Sequence, residues 1–165
     1  MSSNMSLSIA LENLLSLKGK ETPPGNWLSI NQERINQFAE ATDDHQWIHV
    51  DPEKAKQQSP YGTTIAHGYL TLSLIVALCK SVKSDDEPAH FKGLKMAINY
   101  GLNKVRFPAP VKVGDRIRAR MILKEVEAVK GCLELTREVT IEIENNEKPA
   151  CVAETVSRFY FHNTD

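Results

Sequence analysis

Gly68-Tyr69-Leu70-Thr71-Leu72-Ser73-Leu74-Ile75-Val76-Ala77-Leu78-Cys79 is the stretch on which the fold turns. It is apolar on nearly every side, with small Thr71, Ser73 and Ala77 where close packing is needed. A helix apolar all round is buried all round. The spacing predicts such a helix over about residues 68–82. In a chain of 165 residues something must wrap it. A chain this long buries about 70% of the surface its unfolded form exposes, enough for one core without disulfides or metals. The strongly apolar run, Tyr69 to Cys79, is 11 residues long. A membrane-spanning helix takes about 20, so no span is expected.

The second half of the chain supplies the wrapper. Leu133, Leu135, Val139, Ile141 and Ile143 alternate with Glu134, Thr136, Glu138, Thr140, Glu142 and Glu144, the pattern of a strand with one wet face. Upstream, Ile117, Ala119, Met121 and Leu123 alternate with Arg116, Arg118 and Arg120. The parity then shifts to Val126 and Ala128, which predicts a β-bulge near Lys124-Glu125. Lys130-Gly131 is the expected hairpin turn between these strands. Ile98, Tyr100 and Leu102 open another strand, with a parity shift before Val105 and Phe107. Asn145-Asn146 leads into a last strand over about residues 149–161. Helices first and then about four antiparallel strands make the fold class α+β, a sheet around a central helix.

Ahead of that helix the chain reads as short helices and loops. Residues 5–16 suit an amphipathic helix, and Pro23-Pro24-Gly25 marks a loop. Trp27 to Ile30 reads as a short strand. Ser29 stands three residues before Gln32, a capping-box spacing, and Ile35, Phe38 and Ala39 follow at helical intervals, so a helix is expected over about 31–41. Asp51-Pro52 starts another, about 52–58, with Asp51 as N-cap and Pro52 at the first helical position. A single domain over 1–165 is expected, its core about 25–161, with 1–24 an N-terminal helix and loop.

A net charge of −1 argues against a general nucleic-acid binder. The charge is uneven: residues 92–120 carry a net +7 between flanks of −4 each. Such a block suits a small anionic ligand, or equally a solvated strand face balanced by acidic neighbours. Cys79, Cys132 and Cys151 are odd in number, with no Cys-x-x-Cys, and read as the reduced thiols of a cytoplasmic protein. The opening Met-Ser-Ser-Asn-Met-Ser has no basic patch before an apolar run, so no secretory leader is expected.

Chemistry concentrates in Thr42-Asp43-Asp44-His45-Gln46-Trp47-Ile48-His49, a loop between two helices. A second focus is Ala66-His67-Gly68, where the buried helix begins and its first N–H groups lack helical partners. Three readings compete. His45 and His49 stand four apart, with Asp44 and Asp51 beside them, as metal ligands on a helix would. Yet Asp51-Pro52 starts a helix only after His49, and no glutamate follows His45, so no metal is expected. In the second reading the polar residues only cap and tie the loop. In the third reading, Asp44 and His49 converge on one water as general acid and base. The Gly68 N–H would then meet a developing oxyanion from the other side. His67 reads as a structural histidine, Trp47 as packing that fixes the turn, and His90 and His162 carry no assignment.

These residues resemble the MaoC-like hydratases, or (R)-specific enoyl-CoA hydratases, and most closely their nodulation protein N-like branch. The family motif runs aromatic, spacer, small residue, Gly-Asp-x-Asn-Pro-apolar-His, then a small residue six beyond. Phe38, Thr42, Asp44, Ile48, His49 and Ala55 match it, and Ile65-Ala66-His67-Gly68 matches the His-Gly at the head of the family's central helix. Asp43, Gln46 and Trp47 replace Gly, Asn and Pro, and Asp-His-Gln-Trp-Ile-His is the wording of the nodulation N-like branch. The resemblance spans about residues 25–161.

The resemblance implies the hot dog fold, an antiparallel sheet wrapped around a long central helix, and a homodimer joined sheet edge to sheet edge. It also implies reversible addition of water to a trans-2-enoyl-CoA, giving an (R)-3-hydroxyacyl-CoA. Asp44 and His49 would handle the water and its protons, and the Gly68 N–H would polarise the thioester carbonyl. No cofactor is implied, since coenzyme A is only the substrate's carrier, and acyl-carrier protein is an equivalent one. Lys95, Lys104, Arg106 and Arg118 become candidate phosphate contacts. A serine one or two turns into the central helix serves some hydratases, and Ser73 is the only serine near that place. An acyl-CoA thioesterase of the same fold would place a carboxylate on or near the central helix, and Tyr69 to Lys80 holds none. A non-catalytic acyl-CoA-binding protein would have no need of the Asp44/His49 pair.

Overall fold

The computed structural model describes residues 5–82 and 91–162, without the side chains of the first two. His90 and most of loop 84–93 lie outside the described residues. The chain runs α1 (Met5–Leu17), β1 (Leu28–Ser29), α2 (Gln32–Thr42), α3 (Trp47–Val50), α4 (Pro52–Gln58), α5 (Gly68–Ser73) and α6 (Ile75–Cys79). Then come β2 (Leu94–Arg106), β3 (Arg116–Val129), β4 (Cys132–Ile143) and β5 (Cys151–Phe161). The strands form one antiparallel sheet in the order β1-β3-β4-β5-β2. The architecture is α+β, as the patterning expects.

Alternation decides which face of the sheet meets the helices. Ile117, Ala119, Val139, Ile141 and Ala153 point inward and pack against Leu70, Leu74, Ile75 and Leu78 of the α5–α6 rod and against Ile35 of α2. A second apolar cluster joins Ala10 and Leu14 of α1 to Leu123, Leu133, Leu135 and Phe159 at the far end of the sheet. The ladder slips between Leu123 and Glu125, at the bulge the parity shift predicts. Lys130 and Gly131, both at positive φ (39° and 83°), turn β3 into β4. Both residues of a two-residue type I′ turn adopt such a conformation. β2 carries register shifts on both sides of Gly101-Leu102, which accounts for its broken parity.

Two local expectations are corrected. The cap of α2 is Asn31, whose side chain accepts from the Arg34 N–H at 2.9 Å, rather than Ser29, which belongs to β1. The central helix is also not one long element, and it is not buried all round. It is interrupted at Leu74 and ends at Cys79. The Ser73 hydroxyl donates to the Tyr69 carbonyl at 2.7 Å. Back-bonding of this kind bends helices. Leu74 stays right-handed (φ −75°, ψ −8°) and its N–H reaches the Leu70 carbonyl at 3.1 Å, so the two segments make one bent rod. Tyr69 (69% exposed), Ser73, Val76 (46%) and Ala77 share a helical stripe that the chain's own sheet leaves open.

Candidate active site

Local capping shapes the loop that holds Asp44 and His49. Asp43 ends α2 in the left-handed conformation (φ 56°), turning the chain sharply out of the helix. The Thr42 hydroxyl donates to the Phe38 carbonyl at 2.7 Å and secures that last turn. His49 N–H donates to Gln46 O at 2.9 Å and opens the single turn of α3. Asp51 then caps α4 through the Lys54 N–H at 2.9 Å, with Pro52 at the helix start, as the Asp-Pro pair predicts. Lys54 in turn lies over the Trp47 ring, 5.1 Å from its centre.

Long-range bonds then bring His49 against the segment before α5. The Ile65 N–H donates to the Ile48 carbonyl at 3.0 Å, and His49 Nδ1 meets the Ile65 carbonyl at 2.7 Å. A carbonyl can only accept, so Nδ1 carries the proton and Nε2 keeps its lone pair. Gln32 on α2 donates to the His49 carbonyl at 2.7 Å and accepts from the fully buried Thr64 hydroxyl.

His67 completes the cluster. Its Nε2 donates to the main-chain carbonyl of Asp44 at 2.9 Å, and the Asp44 carboxylate lies 3.9 Å from the same nitrogen. Its ring stacks on His49, centroids 3.8 Å apart and planes at 26°, while Phe38 packs at 5.1 Å. His49 is 7% exposed and His67 2%, whereas the Asp44 side chain is 51% exposed at the mouth. Burial pushes the His49 imidazole below its ordinary 6.5. The neighbouring His67 adds to this, and the Ile65 carbonyl and Asp44 carboxylate partly offset it. The site therefore holds a neutral imidazole base beside a carboxylate.

One donor atom each from Asp44, His49 and His67 falls within 4.8 Å of the others. Zinc needs nitrogen ligands about 2.0–2.1 Å from one centre. Imidazoles lying nearly parallel aim their in-plane lone pairs side by side, so this geometry favours proton transfer over ligation. His45 turns away to Glu40 at 3.6 Å.

Gly68 opens α5 next to this cluster. A Cβ there would lie 3.1–3.2 Å from the Phe107 ring, so the close approach of the end of β2 to the helix start calls for glycine. Arg106 directly precedes Phe107, its guanidinium donating to the Val105 carbonyl at 2.7 Å, and Lys104 is exposed two residues before Arg106. Lys95 sits at the opposite end of β2, nine residues and about 30 Å from Lys104. Arg118 stands apart from this group. It lies on the outer sheet face, bonded to Glu142 at 2.7 Å and stacked over Trp27 at 4.3 Å. Its neighbours Arg116 and Arg120 pair with Glu144 and Glu142 at 2.9 Å each. Three of the eight basic residues in that block thus form a cross-strand ion-pair ladder. A cavity of about 320 Å³ opens between the α5–α6 rod and the β2–β5 edge, lined by Leu72, Ser73, Val76, Tyr100, Leu102 and Val156.

The MaoC-like domain family matches residues 16–146. The chain belongs to that family. Its architecture is the hot dog fold, and membership makes it an enzyme of the hydro-lyase class. Among similar proteins is the 3-hydroxyacyl-thioester dehydratase Z of Mycobacterium tuberculosis, 48% identical over 151 residues, covering 91% of this chain and 95% of that one. Nodulation protein N of Rhizobium meliloti is 41% identical over 158 residues, covering 95% of each. The solved R-hydratase PhaJ1 from Pseudomonas aeruginosa superposes with a TM-score of 0.61 at 22% identity, over 86% of this chain and 88% of that one. The structure brings the Asp44 and His49 side chains of the motif within 4.8 Å of each other and sets further residues against them. His67, expected to be structural, touches both. Gln32 and Thr64 clamp His49 through long-range bonds that no local pattern encodes.

Proposed function

We propose that this protein catalyses reversible hydration of a trans-2-enoyl thioester to the (R)-3-hydroxyacyl thioester. The observation that carries the reading is a buried, neutral His49 whose Nε2 lone pair stands free beside the Asp44 carboxylate. Asp44 and His49 hold a water; its oxygen bonds to C3 of the enoyl chain while one of the pair takes its proton. The C2–C3 double-bond electrons move onto the thioester as an enolate, which the Gly68 N–H stabilises. Protonation of C2 completes addition, and the reverse sequence expels water. No redox change occurs, and the chemistry needs no cofactor.

The acyl chain is assigned to the cavity beside the α5–α6 rod. Lys104 and Arg106 are offered as contacts for coenzyme A phosphates. Lys95, at the far end of β2, and Arg118, committed to Glu142 and Trp27, are the weaker two of the four. The open stripe of the rod and exposed Met96, Ile98, Tyr100 and Leu102 on β2 support a homodimer. The free cysteines fit a reducing cytoplasm.

Loss of enoyl-thioester absorbance with crotonyl-CoA and longer enoyl-CoAs tests the reaction. Turnover is expected in the natural protein. Asp44→Asn and His49→Ala should each cost about 10²- to 10⁴-fold in rate with the fold intact. Absence of turnover across chain lengths, or near-normal rates in either variant, overturns the reading. Release of free thiol instead would identify a thioesterase.

A further inference from the structure

The steps above leave His67 unused, although it is the most deeply buried ionisable side chain of the site. Its Nε2–H is spent on the Asp44 carbonyl, its face on His49, and its Nδ1 is buried without a hydrogen-bond partner. A buried polar atom left unsatisfied needs an explanation. Glutamine could satisfy the same carbonyl without presenting an imidazole face, so the need is for a ring that also donates.

We propose that His67 is a positioning residue that holds both members of the acid–base pair: it anchors the Asp44 loop through its Nε2–H and, by stacking, keeps His49 neutral with Nε2 facing the reacting water. This rests on the hydratase reading. Two stacked imidazolium ions 3.8 Å apart in a buried site would repel strongly, so His67 facing His49 disfavours a proton on His49. The groups bearing on His49 from each side are few. Asp44 faces it from the α2–α3 loop and His67 from the segment before α5. From α2 the side chain at its carbonyl is neutral Gln32. On α4, Asp51 is occupied as a cap and Lys54 lies over Trp47. Lys112, whose backbone bridges Ile65, is exposed.

Two variants separate the two roles. His67→Gln keeps a donor and loses the stacked ring. Its acid limb in kcat/KM should move to higher pH, because His49 then gains its proton more easily. His67→Phe keeps a ring and loses the donor. Its kcat should fall at least about tenfold with KM little changed, since Asp44 is no longer anchored. An unmoved acid limb in the first, or an unchanged kcat in the second, overturns the proposal. A merely structural histidine would lower the melting temperature of both and leave the acid limb in place. Nitrogen-15 NMR of the imidazoles in the natural protein needs neither variant nor substrate. It should show the proton on Nδ1 of His49 and on Nε2 of His67, and the opposite tautomer at either ring overturns the inference. If no thioester is turned over, the hydratase reading falls, and the tautomers still judge the arrangement by themselves.

Discussion

Asp43 sits in a backbone conformation that L-residues resist, φ 56°, where α2 gives way to the Asp44 loop. The family motif that this sequence resembles has glycine there, and the left-handed turn is the physical reason. Aspartate is among the few residues that tolerate it, because its short polar side chain bonds locally. Asp43→Gly should therefore hold or raise stability, whereas Asp43→Ala should lower it by about 1 kcal/mol. Urea melts of the two variants check this, and a more stable alanine variant would remove the turn from the account. His49 shows a different residue-scale lesson. Its position in the motif was legible, but the burial that pushes it below its ordinary value was not, and neither was its tautomer, since the Ile65 carbonyl that fixes the proton on Nδ1 comes from a segment sixteen residues away.

Elements in this chain are mostly set locally and then trimmed by contact. α4 begins at Asp51-Pro52, and the β3 bulge and the Lys130-Gly131 turn fall where parity and turn chemistry require. The loop after α1 is different. Gly25 donates to Ala119 O at 2.9 Å while passing the end of the α5–α6 rod. A Cβ on Gly25 would stand 2.5 Å from Ser81 Oγ and 3.1 Å from the Leu78 carbonyl. Ser81 cannot simply swing aside, because its hydroxyl donates to Leu78 O at 2.7 Å and accepts from the Asn26 N–H at 3.0 Å. Gly25→Ala should thus destabilise by about 1–3 kcal/mol, the range for overpacking, read as a lower melting temperature. An unshifted melt would show that the loop stands off the helix.

At the scale of the whole molecule, the sheet covers one side of the α5–α6 rod and leaves Tyr69, Ser73, Val76 and Ala77 exposed on the other. β2 is an edge strand of 13 residues with apolar Met96, Ile98, Tyr100 and Leu102 exposed, the kind of edge that chains leave bare only when something pairs with it. The proposed homodimer predicts a sedimentation mass of twice 18.5 kDa at micromolar concentration. Leu102→Glu should shift that toward monomer by burying charge in the interface. A monomeric natural protein would sink the dimer while leaving the fold untouched.

The sequence by itself determined the α+β class, the strand faces, the bulge, the hairpin and the nearness of Asp44 to His49, because each rests on neighbours a few residues apart. Only the tertiary structure decided that the central rod bends and keeps an open flank, that Arg118 belongs to an ion-pair ladder, and that His67 stacks on His49. Those depend on which distant segments share a surface, and no local periodicity records which residues on one strand or loop will meet those on another.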